Sequence, residues 1–512
     1  MKGVSLPDLL IIAVYLAAMI GVGVYFARRR ASIDQFTRAS GKIPGWALGI
    51  SLYATFLSSN TFLGVPGKAF GSNWNSFVFS LSMPFAAWVA TRYFVPFYRH
   101  SGEISAYSHL ERRFGPWART YAMVCFLLTQ LARMGAIFFG VALVLAPLIH
   151  VDIRIIMAVS GACIVVYTLL GGMEAVIWTE VVQGIIKTAG ALLVLGLVIA
   201  QLDGGVNDIL TIGAADNKFS LGSFDITELG APTFWVVLVY GFFINLTNFG
   251  IDQNYVQRYH TARTAREAAR SIWLCVYCYV PVSLVFFFIG TALYAYYNHH
   301  SEAMAVIKET VAQQRGVSAQ TLTAADYGDQ AMPGFMVTNV PHGLLGLILA
   351  ALLSAAMSTI SSGINSSATV ILNDIYLRYV RPSASEQQEV RVLHMATVLI
   401  AALALATGVA MVGTTSILDL WWALSGAFAG GMLGLFLLGM LSRTAGNTAA
   451  KVGTATGVLV IAWIMLSRWL PPSLEAWRSP LHTHLAVMVG TLAIFFTGTI
   501  VTSVKRLRTV NP

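Results

Sequence analysis

Residues 50–67 read ISLYATFLSSNTFLGVPG, a stretch that begins like an apolar membrane helix and turns polar in its middle. Four polar residues follow one another from Ser58 to Thr61, and Gly64, Pro66 and Gly67 follow within the next six residues. Backbone groups without partners are costly in hydrocarbon, so an interrupted membrane helix persists only where it lines a cavity or is buried in protein. The stretch therefore predicts a broken helix beside a cavity.

A second stretch of the same kind, VYGFFINLTNFGIDQ, covers residues 239–253. It carries Asn245, Thr247, Asn248 and Gly250 within an otherwise apolar span. Two interrupted segments in corresponding positions are typical of transporters built from inverted repeats. For either segment alone an alternative stays open, because Ser, Thr and Asn side chains also hold neighbouring membrane helices together.

The composition places the whole chain in a membrane. Of 512 residues, 56% are hydrophobic and only 11% are charged, with a mean hydropathy of +0.70. Soluble domains carry about 25% charged residues. A membrane helix needs about 20 apolar residues, and the sequence predicts about 13 such helices in an all-α membrane protein. They lie near 5–27, 46–71, 74–98, 119–148, 152–171, 175–202, 233–250, 271–298, 335–372, 391–412, 416–441, 450–468 and 482–503.

The positive charges predict the orientation of these helices. The net charge is +9, and Lys and Arg gather in alternate loops, for example Arg38, Arg112, Arg258, Arg378 and Lys505. Such loops face the cytoplasm, so we expect the N-terminus outside and the C-terminus inside. This distribution is that of a multi-pass inner-membrane protein in a lipid bilayer, with no nucleic-acid partner. Lys68, Arg92 and Lys187, nearer helix ends, are expected to extend their charges to the interface.

The two interrupted segments suggest how the single transmembrane domain, residues 1–512, is organised. Five helices over 46–202 would form a first repeat, and five over 233–441 would form a second. The first helix and its loop, 1–45, and the last helices, 450–512, would be peripheral. No soluble domain of useful size remains, which leaves no room for an appended signalling domain and argues against a sensor.

The ninth helix presents a row of hydroxyl groups. In AALLSAAMSTISSGINSSATVILNDIY, residues 350–376, the side chains of Ala355, Ser358, Thr359 and Ser362 share one helix face. Hydroxyls and freed carbonyls of a broken helix could together coordinate an alkali cation. The alternative that these serines only permit close helix packing stays open.

Four segments carry a resemblance to a known family. They are ATFLSSNTFLGVPGKAF at 54–70, LLGGMEAVIWTEVVQG at 169–184, DQNYVQRY at 252–259 and SAAMSTISSGINSSATVILNDIY at 354–376. With them the chain resembles the sodium:solute symporter family over nearly its whole length. The resemblance implies the five-plus-five inverted-repeat fold of leucine-type transporters, with Na+ as the coupling ion.

The resemblance also implies two cation sites. The first would use the carbonyls of Ala54, Leu57 and Ala355 with the hydroxyls of Ser358 and Thr359. A possible second site involves Glu180, where several members have an aspartate, together with Ser362. Glu180 lies near a helix end, so the alternative that it only touches water stays open.

Arg133, in LLTQLARMGAIFFG at 127–140, predicts the substrate class. An arginine in mid-membrane is costly and must face a partner or a wet cavity, and its planar fork suits a carboxylate. Within the family it resembles the arginine of the sialic-acid symporters, although Ser80 stands where those relatives have an amide. The implied substrate contacts are Ser58, Asn60, Thr61, Ser80, Arg133 and Asn245. Pairing of Arg133 with an internal carboxylate or carbonyls is the structural alternative.

The expected function is sodium-coupled import of a small polar solute by alternating access, with sialic acid or a similar acidic sugar first. A neutral sugar, a monocarboxylate and a vitamin-like acid are the alternatives. No nucleophile–base constellation or phosphate-binding loop is apparent, so no enzyme activity is expected.

Overall fold

The computed structural model describes residues 4–29, 39–102, 105–149, 151–414 and 416–510. Arg38 of the predicted cytoplasmic loops lies outside them. Within these residues ten helices are long and apolar enough to cross a membrane, and eleven if one sharply bent pair is counted as a span. The chain is therefore a multi-pass helical protein, and the predicted number of 13 is not confirmed. The difference lies at 74–98, which is divided into short helices, and at Ile153–Val166, a shorter apolar helix.

The α-helices of the described residues are numbered in chain order. They are α1 Leu6–Arg29, α2 Gly45–Phe56, α3 Ser59–Gly71, α4 Val78–Leu81, α5 Met83–Val89, α6 Val95–Ser101, α7 Ser108–Phe114, α8 Pro116–Ile149, α9 Ile153–Ala200, α10 Val206–Ala215, α11 Phe234–Ile251, α12 Gln253–Thr261, α13 Ala265–His299, α14 Ser301–Arg315, α15 Ala324–Asn339, α16 Leu344–Val370, α17 Glu386–Ala410, α18 Ile417–Leu441, α19 Asn447–Leu466 and α20 Leu485–Val510. The segments Ala90–Phe94 and Ile371–Val380 are π-helical.

The predicted break in the second span is present. Helices α2 and α3 meet at an angle of 54°. Leu57 (φ −79°, ψ 88°) and Ser58 (φ −96°, ψ 175°) leave the helical region between them. The last carbonyls of α2 and the first N–H groups of α3 therefore lack helical partners. Both helices are buried almost throughout, which is where an interrupted helix can persist.

Two other interruptions differ from the expectation in detail. Helix α11 runs unbroken through Asn245 and Gly250 to Ile251, so the chain leaves the helix at Asp252, later than the polar residues suggested. There the Asp252 side chain accepts a hydrogen bond from the backbone N–H of Asn254 (2.8 Å) and starts α12. In α9 the boundary expected between two spans is a kink at Gly172, whose φ of 62° favours glycine.

The centre of the molecule is formed by α2, α3, α8, α9, α13 and α16, which pack against one another. Of the 18 most apolar consecutive residues of the span that contains α16, 83% are buried, whereas for α1 the share is 17%. Helix α1 lies on α9 and α16 from outside, and α19 and α20 pair beside α18. The serine-rich α16 therefore faces the broken α2–α3 span in the interior.

Candidate transport site

The groups predicted for the first cation site lie together where α16 passes the break. The Ser358 hydroxyl donates to the carbonyl of Ala54 (3.1 Å) and is within 3.2 Å of the carbonyl of Ala355. The Thr359 hydroxyl lies 3.3 Å from the carbonyls of Thr55 and Ala355. The carbonyls freed by the break thus meet the hydroxyl face of α16. That they bind sodium stays a prediction.

A lysine that the sequence reading placed elsewhere occupies the middle of this group. Lys187 Nζ donates to the carbonyls of Ala54 (2.6 Å) and Leu57 (2.7 Å) and to the Ser358 hydroxyl (2.8 Å). Its side chain is fully buried. The expectation that Lys187 extends to the membrane interface is wrong, because α9 continues well past it to Ala200. The sequence did contain one indication of a buried position. Lys187 follows Glu180 by seven residues, or two helical turns, so both side chains lie on the same face of the helix.

Glu180, predicted for a second cation, is paired with an arginine. Arg258 Nη2 lies 2.8 Å from both carboxylate oxygens of Glu180. Arg258 also donates to the hydroxyls of Ser51 (2.9 Å), Thr55 (3.0 Å) and Ser362 (2.7 Å). Ser51 and Ser362 donate in turn to the Glu180 carboxylate. A cationic side chain therefore stands at this carboxylate.

Arg258 was expected in a cytoplasmic loop, and that expectation is wrong. It lies on α12, and 1% of its side chain is exposed. Glu180 is fully buried as well, so it does not sit at a wetted helix end. A buried guanidinium needs a counter-charge, which Glu180 provides. The prediction failed because a single sequence does not reveal that α12 packs in the interior.

A cavity beside the break is lined by most of the predicted substrate residues. It is small, about 60 Å³, which is room for a few waters. Ser58, Asn60, Thr61, Ser80 and Arg133 line it. Its remaining wall is largely aromatic and includes Phe56, Phe79, Tyr279, Phe287, Trp421 and Trp422. A cavity of this size is too small for a sugar, so it must widen before such a solute can bind.

Arg133 reaches this cavity from α8. One N–H of its guanidinium donates to the carbonyl of Thr55 (2.9 Å), and the guanidinium carbon lies 5.8 Å from the centroid of the Trp421 ring. Asn60 also lines the cavity, and its side-chain oxygen is a buried acceptor without a partner among the described residues. The cavity wall therefore includes both a hydrogen-bond donor, Arg133, and a residue with a free hydrogen-bond acceptor, Asn60.

Asn245 does not line the cavity. Its amide nitrogen donates to Ser82 Oγ (3.1 Å) and to the carbonyl of Phe79 (3.3 Å), so it joins α11 to the α4–α5 region. Asn248, one turn later, lines the cavity in its place. Ser80 is in the cavity wall, where its hydroxyl is hydrogen bonded to that of Ser283 (2.7 Å).

Charged groups also gather at the far end of α3. Lys68 pairs with Asp419 (2.8 Å), and Asp329 on α15 accepts from the backbone N–H of Ile417 (2.9 Å). Burial, with the nearby Asp419 carboxylate, raises the pKa of Asp329 to about 7. Asp329 also lines a larger cavity of about 730 Å³ between α8 and α14–α15.

Comparison with known proteins identifies the family. The model of the sodium:solute symporter family matches residues 36–457. The chain belongs to the sodium:solute symporter family. It is accordingly a transporter and not an enzyme.

Relatives of this symporter family are similar over nearly the full chain. A sodium/sialic acid symporter of Proteus mirabilis is 31% identical, with 95% of this chain and 92% of the relative covered. One of Aliivibrio fischeri is 32% identical over 88% of this chain and 86% of the relative. The human sodium-coupled monocarboxylate transporter 1 is 28% identical over 93% and 76%.

A solved structure is similar as well. It is a substrate-bound, outward-open Na+-coupled sialic acid symporter, with 29% identity, a TM-score of 0.84 and 98% of each chain covered. A closed nucleobase–cation symporter shares the fold at 14% identity, with a TM-score of 0.55.

Proposed function

We propose that this symporter imports a carboxylate-bearing polar solute, with sialic acid the first candidate, and that sodium drives the uptake. Membership of the sodium:solute symporter family supports sodium as the coupling ion. Two relatives that cover most of the chain are sodium/sialic acid symporters, which supports the substrate class. The single observation that carries the proposal is the buried guanidinium of Arg133 in the cavity wall.

Arg133 is suited to hold the acid group. A guanidinium has five N–H donors, and its hydrogen bond to Thr55 uses one of them. Among the described residues no carboxylate forms an ion pair with it, although Asp252 is close enough to act on it electrostatically. A substrate carboxylate would supply a direct charged partner in two-point contact.

The start of α3 adds to the attraction for an anion. Its N-cap residue Ser58 makes no side-chain capping bond, and the helix begins at the cavity with Asn60 and Thr61 in the wall. Free N–H groups at a helix N-terminus favour negative charge. The hydroxyls of Ser58, Thr61 and Ser80 can then bind hydroxyl groups of the solute.

The finer architecture belongs to the same proposal. We propose 13 spans in the inner membrane of a bacterium, with five-helix repeats over 46–202 and 233–441, the N-terminus outside and the C-terminus in the cytoplasm. In this proposal the divided segment 74–98 and the shorter apolar helix Ile153–Val166 are the two spans beyond the eleven. A break follows the first helix of each proposed repeat, between α2 and α3 and between α11 and α12, and this supports the arrangement.

The substrate is tested with Arg133 variants. Arg133→Lys keeps the charge but loses the fork, and a hydrogen bond to an ionised partner contributes about 1.5–3 kcal/mol, or roughly 10- to 150-fold in affinity. We expect a loss in that range for sialic acid. Binding is measured at fixed sodium for sialic acid and its neutral amide, in wild type, Arg133→Lys and Arg133→Ala. Uptake into proteoliposomes, with a sodium gradient or with choline, tests the coupling.

The neutral amide is the internal control. Arg133→Ala should weaken binding of the acid more than binding of the amide, because only the acid loses a charged partner. Equal losses would make Arg133 structural and favour a neutral sugar. A preference for short monocarboxylates over sialic acid would keep the role of Arg133 and change the solute. Uptake that is the same in sodium and choline would refute sodium coupling.

A further inference from the structure

We propose that the cation at the predicted first sodium site is the ammonium group of Lys187, a permanent part of the chain, and that sodium does not bind there. The expected ligands are present, but they are already engaged. Of the five predicted groups, the carbonyls of Ala54 and Leu57 and the Ser358 hydroxyl are bonded to Lys187 Nζ.

The hydrogen bonds match an ammonium ion. An ammonium group has three N–H donors and no acceptor. Lys187 Nζ has three oxygen partners at 2.6–2.8 Å, so its donors are fully used. Two of these oxygens are the carbonyls of Ala54 and Leu57, which only accept. The Ser358 hydroxyl can itself donate to the carbonyl of Ala54 or to that of Ala355. Such a cluster of acceptors is what a buried cation requires.

A sodium ion and this ammonium exclude each other. A sodium ion held by the same three oxygens would have to stand where Nζ stands. The ammonium also has an advantage over a free ion. Its side chain is attached to α9, so filling the site does not require the loss of translational entropy that binding an ion from solution does. Helix α9 packs against both α2 and α16, which supply the oxygens, so the tether is part of the core.

The charged and titratable surroundings of Lys187 are mixed. Glu180 on its own helix attracts it, and Arg133 from α8 repels it. Arg258 of α12 neutralises much of the charge of Glu180. Its three hydrogen-bond partners, the carbonyls of Ala54 and Leu57 and the Ser358 hydroxyl, carry no net charge. Lys187 is thus held chiefly by neutral oxygens, as a sodium ion would be.

The second predicted position repeats the pattern independently. There the guanidinium of Arg258 meets the Glu180 carboxylate and the hydroxyls of Ser51, Thr55 and Ser362. Side-chain cations therefore stand both in the predicted sodium site and in the possible second cation site. It follows that any sodium ion that drives uptake binds outside these two groups.

The test measures sodium binding without substrate, so it does not depend on the proposed solute. The melting midpoint of the full chain in detergent is followed from zero to 100 mM NaCl, with choline chloride keeping the ionic strength constant. Lys187→Met frees the three oxygens, whereas Lys187→Arg keeps a positive charge beside them. Lys218→Met is the matched control, because Lys218 is a buried lysine that donates to a backbone carbonyl elsewhere, that of Phe70 (2.7 Å).

We expect Lys187→Met to gain a sodium-dependent rise in melting midpoint of at least about 2 °C beyond that of the wild type. Lys187→Arg and Lys218→Met should respond to sodium as the wild type does. The proposal is overturned if the wild type responds to sodium and Lys187→Arg does not, a comparison that holds even if Lys187→Met fails to fold. It is equally overturned if a folded Lys187→Met gains no sodium response. Failure of sodium-driven sialic acid uptake would refute the proposed function and leave this result unaffected.

Discussion

Removing the negative charge of Glu180 should destabilise the protein strongly, through the arginine left behind. In the variant Glu180→Gln, Arg258 keeps its charge with 1% of its side chain exposed and no paired carboxylate. Breaking a buried ion pair by removing one partner costs about 3–5 kcal/mol. We expect a loss in that range for Glu180→Gln, and a similar loss for Arg258→Met, which leaves the carboxylate unpaired.

The double variant separates the ion pair from general packing. Replacing both charges leaves no unpaired ion, so Glu180→Gln combined with Arg258→Met should cost much less than the two single losses added together. The difference, the coupling energy, should be about 3 kcal/mol. The free energy of unfolding is measured by denaturant titration in mixed micelles. The control is Lys68→Met, which breaks a half-exposed pair with Asp419 and should cost less than about 1 kcal/mol.

Additive losses would refute the reasoning. They would mean that Arg258 does not depend on Glu180 in the folded protein and that the two side chains separate readily. The carboxylate of Glu180 would then be available to a cation from solution, and this result would support the prediction of a second cation site at Glu180 and Ser362.

Three further predictions concern Asn248, Asn245 and Asp329. Asn248→Ala should weaken substrate binding about 2- to 10-fold, since Asn248 lines the cavity. Asn245→Ala should instead lower the free energy of unfolding by about 1–3 kcal/mol with little effect on affinity, because it loses two hydrogen bonds to the α4–α5 region. For Asp329 the folded pKa of about 7 exceeds the usual 3.8, so its contribution to stability is present at low pH and is lost as pH rises through about 7. Asp329→Asn should therefore reduce the fall in melting midpoint between pH 5 and pH 8, and an unchanged fall would exclude Asp329 as its source.

The sequence was most informative where a local rule determines the structure. Unpaired backbone groups persist at membrane depth only where they line a cavity or are buried in protein, so the polar row in ISLYATFLSSNTFLGVPG predicted the break between α2 and α3. The hydroxyl face of α16 followed from helical periodicity alone. The number of spans was harder, because residues 74–98 are apolar enough for one helix and yet fold as several short ones.

Partners across the interior were beyond the sequence. Lys187 was misplaced because distance from an estimated helix end is a poor guide when α9 continues to Ala200. Arg258 was misplaced because α12 looks like any basic loop until its packing beneath the break is known. Tertiary contacts decide the positions of both charges. Both side chains were expected at the water interface, whereas the folded protein provides them with buried oxygen acceptors.

The charges at the centre of the molecule suggest why resident cations and an acidic solute belong together. Five buried side chains interact there, three of them cationic (Arg133, Lys187 and Arg258) and two anionic (Glu180 and Asp252). The excess of one positive charge would be cancelled by one bound carboxylate, and uncompensated charge is costly in such surroundings.

This balance predicts a specific defect in Lys187→Met. Without the ammonium the two remaining cations only match the two anions, so a bound carboxylate leaves the centre with one negative charge. Affinity for sialic acid should fall about 10-fold or more in choline, a loss of about 1.4 kcal/mol. Sodium should restore part of it, because a sodium ion in the vacated oxygens replaces the missing charge. Calorimetric titration of wild type and variant in both salts gives the comparison. If the variant loses the same affinity in sodium as in choline, the charge of Lys187 does not stand in for a cation, and its role is one of packing.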